Sequence, residues 1–318
     1  MFVPRQCGGE VEIREAPLPA PAAGEILVRV YAAGLNRGEL MVKRSLVSGA
    51  PQQTGIEFAG EVAQLGAGAT RFRVGDRVMG HWRGGQAEFV ALDERLLIAV
   101  PARLSWIEAA GWLNVFITAH DAIVTNAGLK AGESILINAA SSGIGVAALQ
   151  IARLLGANPV IGSSRSRAKL QALHQYGMQV GIEAGEGDAA TIAQATGAKG
   201  VDVLIDSVGG PALKRNVESM AVCGRIVSVG RLAGNTGELD LDALALKRVK
   251  LIGVTFRTRS KEQRIACVQR CQADLWQALA DGVLQPVVHR SFRMADVKAA
   301  HESMETNQHI GKLVIEII

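Results

Sequence analysis

The apolar positions of the chain change their period twice. Over roughly the first hundred residues they form short alternating runs: Glu25–Tyr31, then Glu57–Gln64, Arg77–Met79 and Ala87–Leu92. Gly66, Gly68, Gly75, Gly80, Gly84 and Gly85 punctuate these runs, which predicts a β-rich barrel or sandwich. From Ile107 to Asn126 the spacing is helical, and a regular alternation follows. Apolar strands are predicted to start near Ser134, Pro159, Gln179, Val201, Arg225 and Lys250, with helices at Gly143–Leu155, Ser166–Tyr176 and Pro211–Met220. Six strands with crossover helices make a doubly wound parallel sheet, so the class is α/β. Ser260 and Gln263 open a long helix as a capping box, Gly282 closes it, and a last strand over Lys312–Ile318 can return to the β-rich part.

Composition narrows the function classes. The 318 residues favour two domains, and 48% hydrophobic content supports a sizeable core rather than disorder. The net charge of +4 is scattered, with no Arg/Lys run interleaved with aromatics, which argues against nucleic acid. The first nine residues have no apolar signal region, and the longest apolar stretch, around Val146–Leu155, is broken by Gln150 and Arg153. Four cysteines in this length make no disulfide framework, so a cytoplasmic location is expected. Cys267 and Cys271 share a helix face with Val268 and Leu275 and read as core, His120 reads as packing or cleft wall, and Arg257, Arg259, Lys261 and Arg264 read as a solvated helix entry.

The segment Ser134-Ile135-Leu136-Ile137-Asn138-Ala139-Ala140-Ser141-Ser142-Gly143-Ile144-Gly145-Val146 carries the chemistry. An apolar strand gives way to small residues and then to an amphipathic helix. Small side chains let the backbone approach a pyrophosphate, and the helix N-terminus offers N–H groups and partial positive charge. Ala140, Ser142 and Gly145 occupy the three glycine places of G-x-G-x-x-G. Twenty residues on, an NAD site would place a carboxylate against the ribose 2′-OH. The chain instead reads Val160-Ile161-Gly162-Ser163-Ser164-Arg165-Ser166-Arg167-Ala168-Lys169. Hydroxyls and cations there suit a 2′-phosphate, so Ser163, Ser164, Arg165 and Lys169 are assigned to NADPH, against the alternative of an ordinary solvated helix start.

Together with Gly34-Leu35-Asn36-Arg37-Gly38-Glu39-Leu40, Gly55-Ile56-Glu57-Phe58-Ala59-Gly60, Val74-Gly75-Asp76-Arg77-Val78, Phe116-Ile117-Thr118-Ala119, Asp206-Ser207-Val208-Gly209 and Gly311-Lys312-Leu313-Val314, this turn resembles the medium-chain dehydrogenase/reductase superfamily, in its zinc-free quinone oxidoreductase (zeta-crystallin-like) branch. The resemblance implies a GroES-like β-rich substrate domain over 1–112 and 258–318, with a Rossmann cofactor domain over 113–257. It also implies a homodimer or homotetramer, and an active cleft between the domains. Relatives that use zinc hold it with Cys, His and Cys; the matching positions here are Asn36, Ile56 and Asn114, and the clustered four-cysteine lobe is missing, so no metal site is expected.

By the same resemblance, Asn36 would touch the nicotinamide ribose or substrate, and Thr118 would lie beside the nicotinamide; these two are the catalytic candidates. Ser142, Gly143, Ile144 and Gly145 would meet the pyrophosphate. Ser207, Val229, Gly230, Arg231, Val254, Thr255 and Phe256 would line the nicotinamide end, and Lys312 would reach a phosphate or close the domain junction. Glu57 reads as a structural carboxylate for backbone N–H groups. Met41 stands where some relatives carry a tyrosine, Ala184 where a tyrosine often stacks, and Glu39 where Asp is usual. The expected activity is hydride transfer from NADPH to a quinone without metal. An enone or enoyl double-bond reductase, or a non-catalytic NADPH-binding and RNA-associating protein, are the alternatives. A short-chain dehydrogenase is excluded, because neither Tyr31 nor Tyr176 has Lys four residues on.

Overall fold

The glycine-punctuated alternation becomes antiparallel strands. The computed structural model describes residues 1–7, 10–40, 52–185 and 188–318, so Met41 lies outside the described residues. The chain divides into Met1–Ile117 with Ser260–Ile318, and Thr118–Arg259. The first unit begins with β1 (Phe2–Cys7), β2 (Glu10–Glu15), β3 (Glu25–Leu35), β4 (Gln52–Gln53), β5 (Phe58–Leu65), β6 (Arg77–Gly80), β7 (Phe89–Asp93) and β8 (Leu97–Ala99). Strand β3 is the hub, pairing antiparallel with both β5 and β7. Ile26, Val28 and Val30 of β3 are fully buried, while Arg29 faces solvent. Strands β2, β1 and β4 form a separate three-stranded sheet that the sequence pattern did not suggest.

One helix was expected over 107–126; the chain builds three pieces. Helix α1 (Trp106–Ala110) opens on a Ser105/Glu108 capping box, α2 (Leu113–His120) follows after Gly111, and Asp121–Asn126 forms a π-helical turn. The break at Gly111 lets the Asn114 N–H leave the helical ladder and donate to Glu57 Oε2 at 2.8 Å.

The second unit alternates β9 (Ile135–Ile137), α3 (Gly143–Leu154), β10 (Val160–Ser164), α4 (Arg167–Leu173), β11 (Val180–Glu183), α5 (Asp188–Thr196), β12 (Val201–Asp206), α6 (Leu213–Glu218), β13 (Met220–Ser228), α7 (Leu241–Leu246) and β14 (Lys250–Gly253). All its strand pairs are parallel, in the order β11-β10-β9-β12-β13-β14. Helices cover both faces of such a sheet, which is why β9 and β10 are buried along their whole length. Leu136, Ile161, Leu204 and Ile226 form the centre of that core. The order of strands reverses direction between β9 and β12, and ligands of open α/β sheets bind beyond the carboxyl ends at such a point.

The chain then returns to the first unit through α8 (Lys261–Ala280), β15 (Val288–Arg293), α9 (Val297–Glu305) and β16 (Lys312–Glu316). The predicted Ser260/Gln263 capping box is present. Strand β16 pairs antiparallel with the second half of β3, Leu313 opposite Leu35. That pairing extends β3 four residues past the expected Tyr31 and delivers the chain to Asn36. Cys267 and Cys271 are buried beside Val268 and Leu275, as expected for core residues. The solvated helix entry is corrected at two positions. Arg264 is buried because the first turns of α8 pack on the turn Glu94–Leu96, and Arg259 is ion-paired. Among the described residues, no helix is long and apolar enough to cross a membrane.

Candidate functional site

In the first unit, a carboxylate without any solvent exposure organises a row of polar groups. Glu57 precedes β5 and is 0% exposed. Its Oε1 receives Lys312 Nζ at 2.6 Å and Asn36 Nδ2 at 3.0 Å, and its Oε2 receives the Asn114 N–H at the start of α2. The carboxylate therefore satisfies one of the orphan donors of a helix N-terminus, where negative charge is also favoured. Gly34 makes room for it, since a Cβ there would stand 2.2 Å from Glu57 Oε1. The expectation of a structural carboxylate bonded to backbone holds for one N–H; the lysine partner was missed.

Lys312 is held within the first unit. Its ammonium donates to Glu57 Oε1, to Leu35 O at 2.7 Å and to Asn36 Oδ1 at 2.7 Å, which uses all three protons inside the unit rather than on a phosphate. Asn36 is held in the same row. Its Nδ2 donates to Glu57 Oε1 and Gly34 O, and its Oδ1 accepts from Lys312 and from Asn114 Nδ2 at 2.8 Å. Both donors and both lone pairs are engaged, so Asn36 positions this row and presents no further hydrogen-bonding group. The ammonium thus fixes the direction of every amide. Asn36 must turn its oxygen to Lys312, Asn114 its nitrogen to Asn36, and the remaining Asn114 Oδ1 faces His81 Nε2 at 3.0 Å, which makes that nitrogen the protonated one.

Two further groups border the row. Burial holds the His81 imidazole down to about 4, with Arg264 adding to the effect and Glu57 and Asn114 opposing it. Burial raises the Glu39 carboxyl to about 8, Glu57 contributes, and Lys312, Gln86 and Asn36 oppose. Glu39 Oε2 accepts from Gln86 Nε2 at 2.8 Å, so at neutral pH Glu39 is mostly a neutral acid within hydrogen-bond reach of an amide.

In the second unit, the predicted small-residue corner joins β9 to α3. Ser142 caps α3 by accepting from Gly145 N at 3.1 Å, and Ala139 takes the left-handed conformation, φ 54°. Gly145 is required: a Cβ there would lie 2.5 Å from Ala139 O and 2.6 Å from the Ala140 Cα. The amides of Gly143 and Ile144 have no intramolecular acceptor among the described residues, which leaves two donors at a helix N-terminus for an anion. The corner is held from below by Asn138, which sequence reasoning missed. Asn138 Oδ1 accepts from Ser163 Oγ at 2.8 Å, and its Nδ2 donates to Asn216 Oδ1 at 3.0 Å and Asp206 Oδ1 at 3.4 Å. The signal was a single amide closing a strand that is otherwise wholly apolar.

Through that tie the buried Ser163 hydroxyl braces the corner. Ser164 ends β10 and accepts from the Ser166 N–H, Arg165 is exposed, and Lys169 is half-buried on α4. Burial and then the charge of Arg165 lower the Lys169 ammonium. The structure brings Ser207, Val229, Gly230 and Arg231 together at the ends of β12 and β13. Val229 N and Gly230 N donate to Asp206 O, and a Cβ at Gly230 would stand 2.7 Å from Ser207 O. Val254 N donates to Ser228 O and carries Thr255 and Phe256 along the same edge. Thr118 is half-buried near the end of α2, and His120 is buried. Ser207, Val229–Arg231 and Val254–Phe256 follow the carboxyl ends of adjacent parallel strands.

Two family models match this chain: an alcohol dehydrogenase GroES-like domain over residues 22–102 and a zinc-binding dehydrogenase over 143–271. With the α/β architecture, they show that the chain belongs to the medium-chain dehydrogenase/reductase superfamily. It is 28% identical over 305 residues to a quinone oxidoreductase of Homo sapiens, covering 94% of this chain and 91% of that one. It is 30% identical to the polyketide synthase GfsB of Streptomyces halstedii over 92% of this chain, which spans 5% of that protein's length. A mycobacterial protein solved in complex with NADPH has 25% identity and a TM-score of 0.89, with both chains covered completely.

Zinc does not fit the positions that would hold it in zinc-dependent relatives. Two hydrogen-bonded carboxamides and an isoleucine stand there, and the Lys312 ammonium sits bonded to Asn36, so a divalent cation would meet charge repulsion and no thiolate or imidazole set. The dinucleotide does fit, on the open amides of Gly143 and Ile144 and the absence of a side chain at Gly145.

Two outcomes are expected. Gly145→Ala should cost about 1–3 kcal/mol by overpacking and weaken dinucleotide binding together with stability; thermal melts and nucleotide titration check both, and an unperturbed affinity would refute the close-approach role. For pH, Glu39 contributes stability that is full below about 4.5 and lost as pH climbs through about 8. His81, held neutral, costs stability as pH falls below 6.5 towards about 4. The two trends offset each other between about 4.5 and 6.5, so from pH 6.5 to 8 stability should fall by roughly 2 kcal/mol. Glu39→Gln cannot ionise and should flatten that decline in chemical denaturation; parallel curves for the two proteins would rule it out.

Proposed function

We propose that this chain is an NADPH-dependent quinone oxidoreductase that transfers hydride without a metal, with Thr118–Arg259 as its cofactor domain and the remainder as its substrate domain. The observation that carries the cofactor choice is the end of β10. No carboxylate stands over residues 160–169, and Arg165 and Lys169 lie close enough for one charge to depress the other. A 2′-phosphate would relieve that repulsion and accept from Ser164. The mycobacterial relative bound to NADPH supports the same choice.

When bound, NADPH would supply hydride from its nicotinamide C4, and one proton from solvent would complete the two-electron reduction of a quinone to the hydroquinone. The chain's own part is placement. Gly143 and Ile144 hold the pyrophosphate, while Ser207, Val229–Arg231 and Val254–Phe256 line the nicotinamide end with Thr118. A quinone delocalises the arriving electrons itself, so the reaction needs orientation and a dry site more than a Lewis acid. The human quinone oxidoreductase, matched along nearly its full length, favours this acceptor class.

Arg165→Glu should raise the dissociation constant for NADPH by about 10- to 100-fold and leave that for NADH within a few-fold, because only NADPH carries the lost charge-assisted contacts. Titration of both nucleotides checks it, and an unchanged ratio refutes the phosphate assignment. NADPH oxidation with a benzoquinone and naphthoquinone panel tests the acceptor; turnover confined to enones or enoyl thioesters would replace the quinone reading by a double-bond reductase.

A further inference from the structure

The segment after β14 is tied down by an ion pair for which cofactor binding alone gives no reason. Asp121 opens the π-helical turn with its side chain 3% exposed. Its Oδ2 receives Arg259 Nη2 at 2.6 Å and Asn126 Nδ2 at 3.2 Å, and Asn126 also donates to the Asp121 carbonyl at 2.7 Å. Arg259 folds back over its own segment, donating from Nε to Thr255 O at 3.1 Å, with its guanidinium 4.7 Å from the centre of the Phe256 ring. The Arg257 N–H closes on Thr255 Oγ1 at 3.2 Å. Thr255 and Phe256 are thus fixed at both ends, by the Val254 N–H on Ser228 O and by the Arg259 fork.

A mostly buried ion pair adds little net stability over an apolar pair of similar volume, because desolvation offsets attraction. What a planar guanidinium supplies is geometry, since one group holds a carboxylate, a carbonyl and an aromatic face at set angles. The partner carboxylate rises from a π-helical turn, an uncommon local form that inserts an extra residue and is often found at functional sites. Ala127 N to Ala122 O, at 2.9 Å, is its wide hydrogen bond.

We propose that Asp121 and Arg259 form a positioning latch that sets Thr255 and Phe256 against the nicotinamide, so that one face of the reduced ring is presented to the acceptor. The latch rests on the reading that residues 254–256 line the nicotinamide end. Neither residue touches the reacting atoms; both act through Thr255 and Phe256.

Facial fidelity is the readout that a purely structural role would not move. The full chain, Arg259→Gln, Asp121→Asn and Arg259→Lys would each turn over NADPH deuterated at the 4R or the 4S position, with deuterium retained in NADP⁺ read by mass spectrometry. Binding of 2′,5′-ADP, which lacks the nicotinamide, is measured alongside. The wild-type chain should transfer from one face. Arg259→Gln and Asp121→Asn should transfer from both and lose about 10- to 100-fold in kcat, with 2′,5′-ADP affinity unchanged. Arg259→Lys, which keeps the charge but not the fork, should fall between them and serves if the other variants do not fold. Full fidelity and unchanged kcat in the folded variants would overturn the latch alone. Failure of the wild-type chain to bind 2′,5′-ADP and NADPH would overturn the cofactor reading, and the latch with it.

Discussion

A carboxylate stripped of water needs donors from somewhere, and the first unit is arranged around meeting that need for Glu57. The donors come from three places far apart in the chain: Asn36 after β3, the Asn114 N–H at the start of α2, and Lys312 on β16. Removing one partner from such a pair leaves an uncompensated buried charge, which costs far more than the pair itself contributes. The cluster therefore couples the pairing of β16 with β3, the break before α2 and the missing side chain at Gly34 into one condition. It also sets the polarity of the amide row, so that His81 receives a defined tautomer.

The second unit solves a different problem, that of bringing backbone close to backbone. Gly145 against Ala139 and Ala140, and Gly230 against Ser207, are approaches that any side chain would obstruct. In both places the cleared space lies beyond the carboxyl ends of parallel strands, and in both a polar group buried in the sheet, Asn138 or Asp206, pins the turn. Asp206 accepts from the Val208 and Gly209 amides while its carbonyl receives Val229 and Gly230. The corner is stiff because the strands beneath it are hydrogen-bonded to it, and not because its own residues are rigid.

What was legible in the sequence follows the range of the interaction. The strands of the parallel sheet are local apolar runs, and five start within a residue of where the pattern put them, while β13 begins at Met220, five residues before the expected Arg225. The capping box at Ser260 and the small-residue corner are likewise local. The β1, β2 and β4 sheet was not legible, because Glu10–Glu15 alternates between charge and aliphatic residues without a burial face that sequence alone can assign. The continuous helix over 107–126 failed because a carboxylate fifty-seven positions before Asn114 takes its N–H. The partners of Lys312 and Ser163 were not legible for a related reason. Their residue types suited an anion, but each had a nearer partner contributed by a distant strand.

The two units divide the labour that a zinc ion performs elsewhere in the superfamily. A metal both anchors the surrounding loops and polarises a substrate oxygen. In this chain the anchoring falls to Lys312, whose charge organises Asn36, Asn114 and Glu57 but is fully spent in doing so. A saturated ammonium cannot also act as an electrophile, so polarisation has no agent in that row. The chemistry left to the chain is of the kind that placement alone can accelerate, and the groups able to place a dinucleotide are the open amides of α3 and the braced strand ends of the parallel sheet. The acceptor proposed for this chain stabilises its own incoming electrons, which agrees with that division.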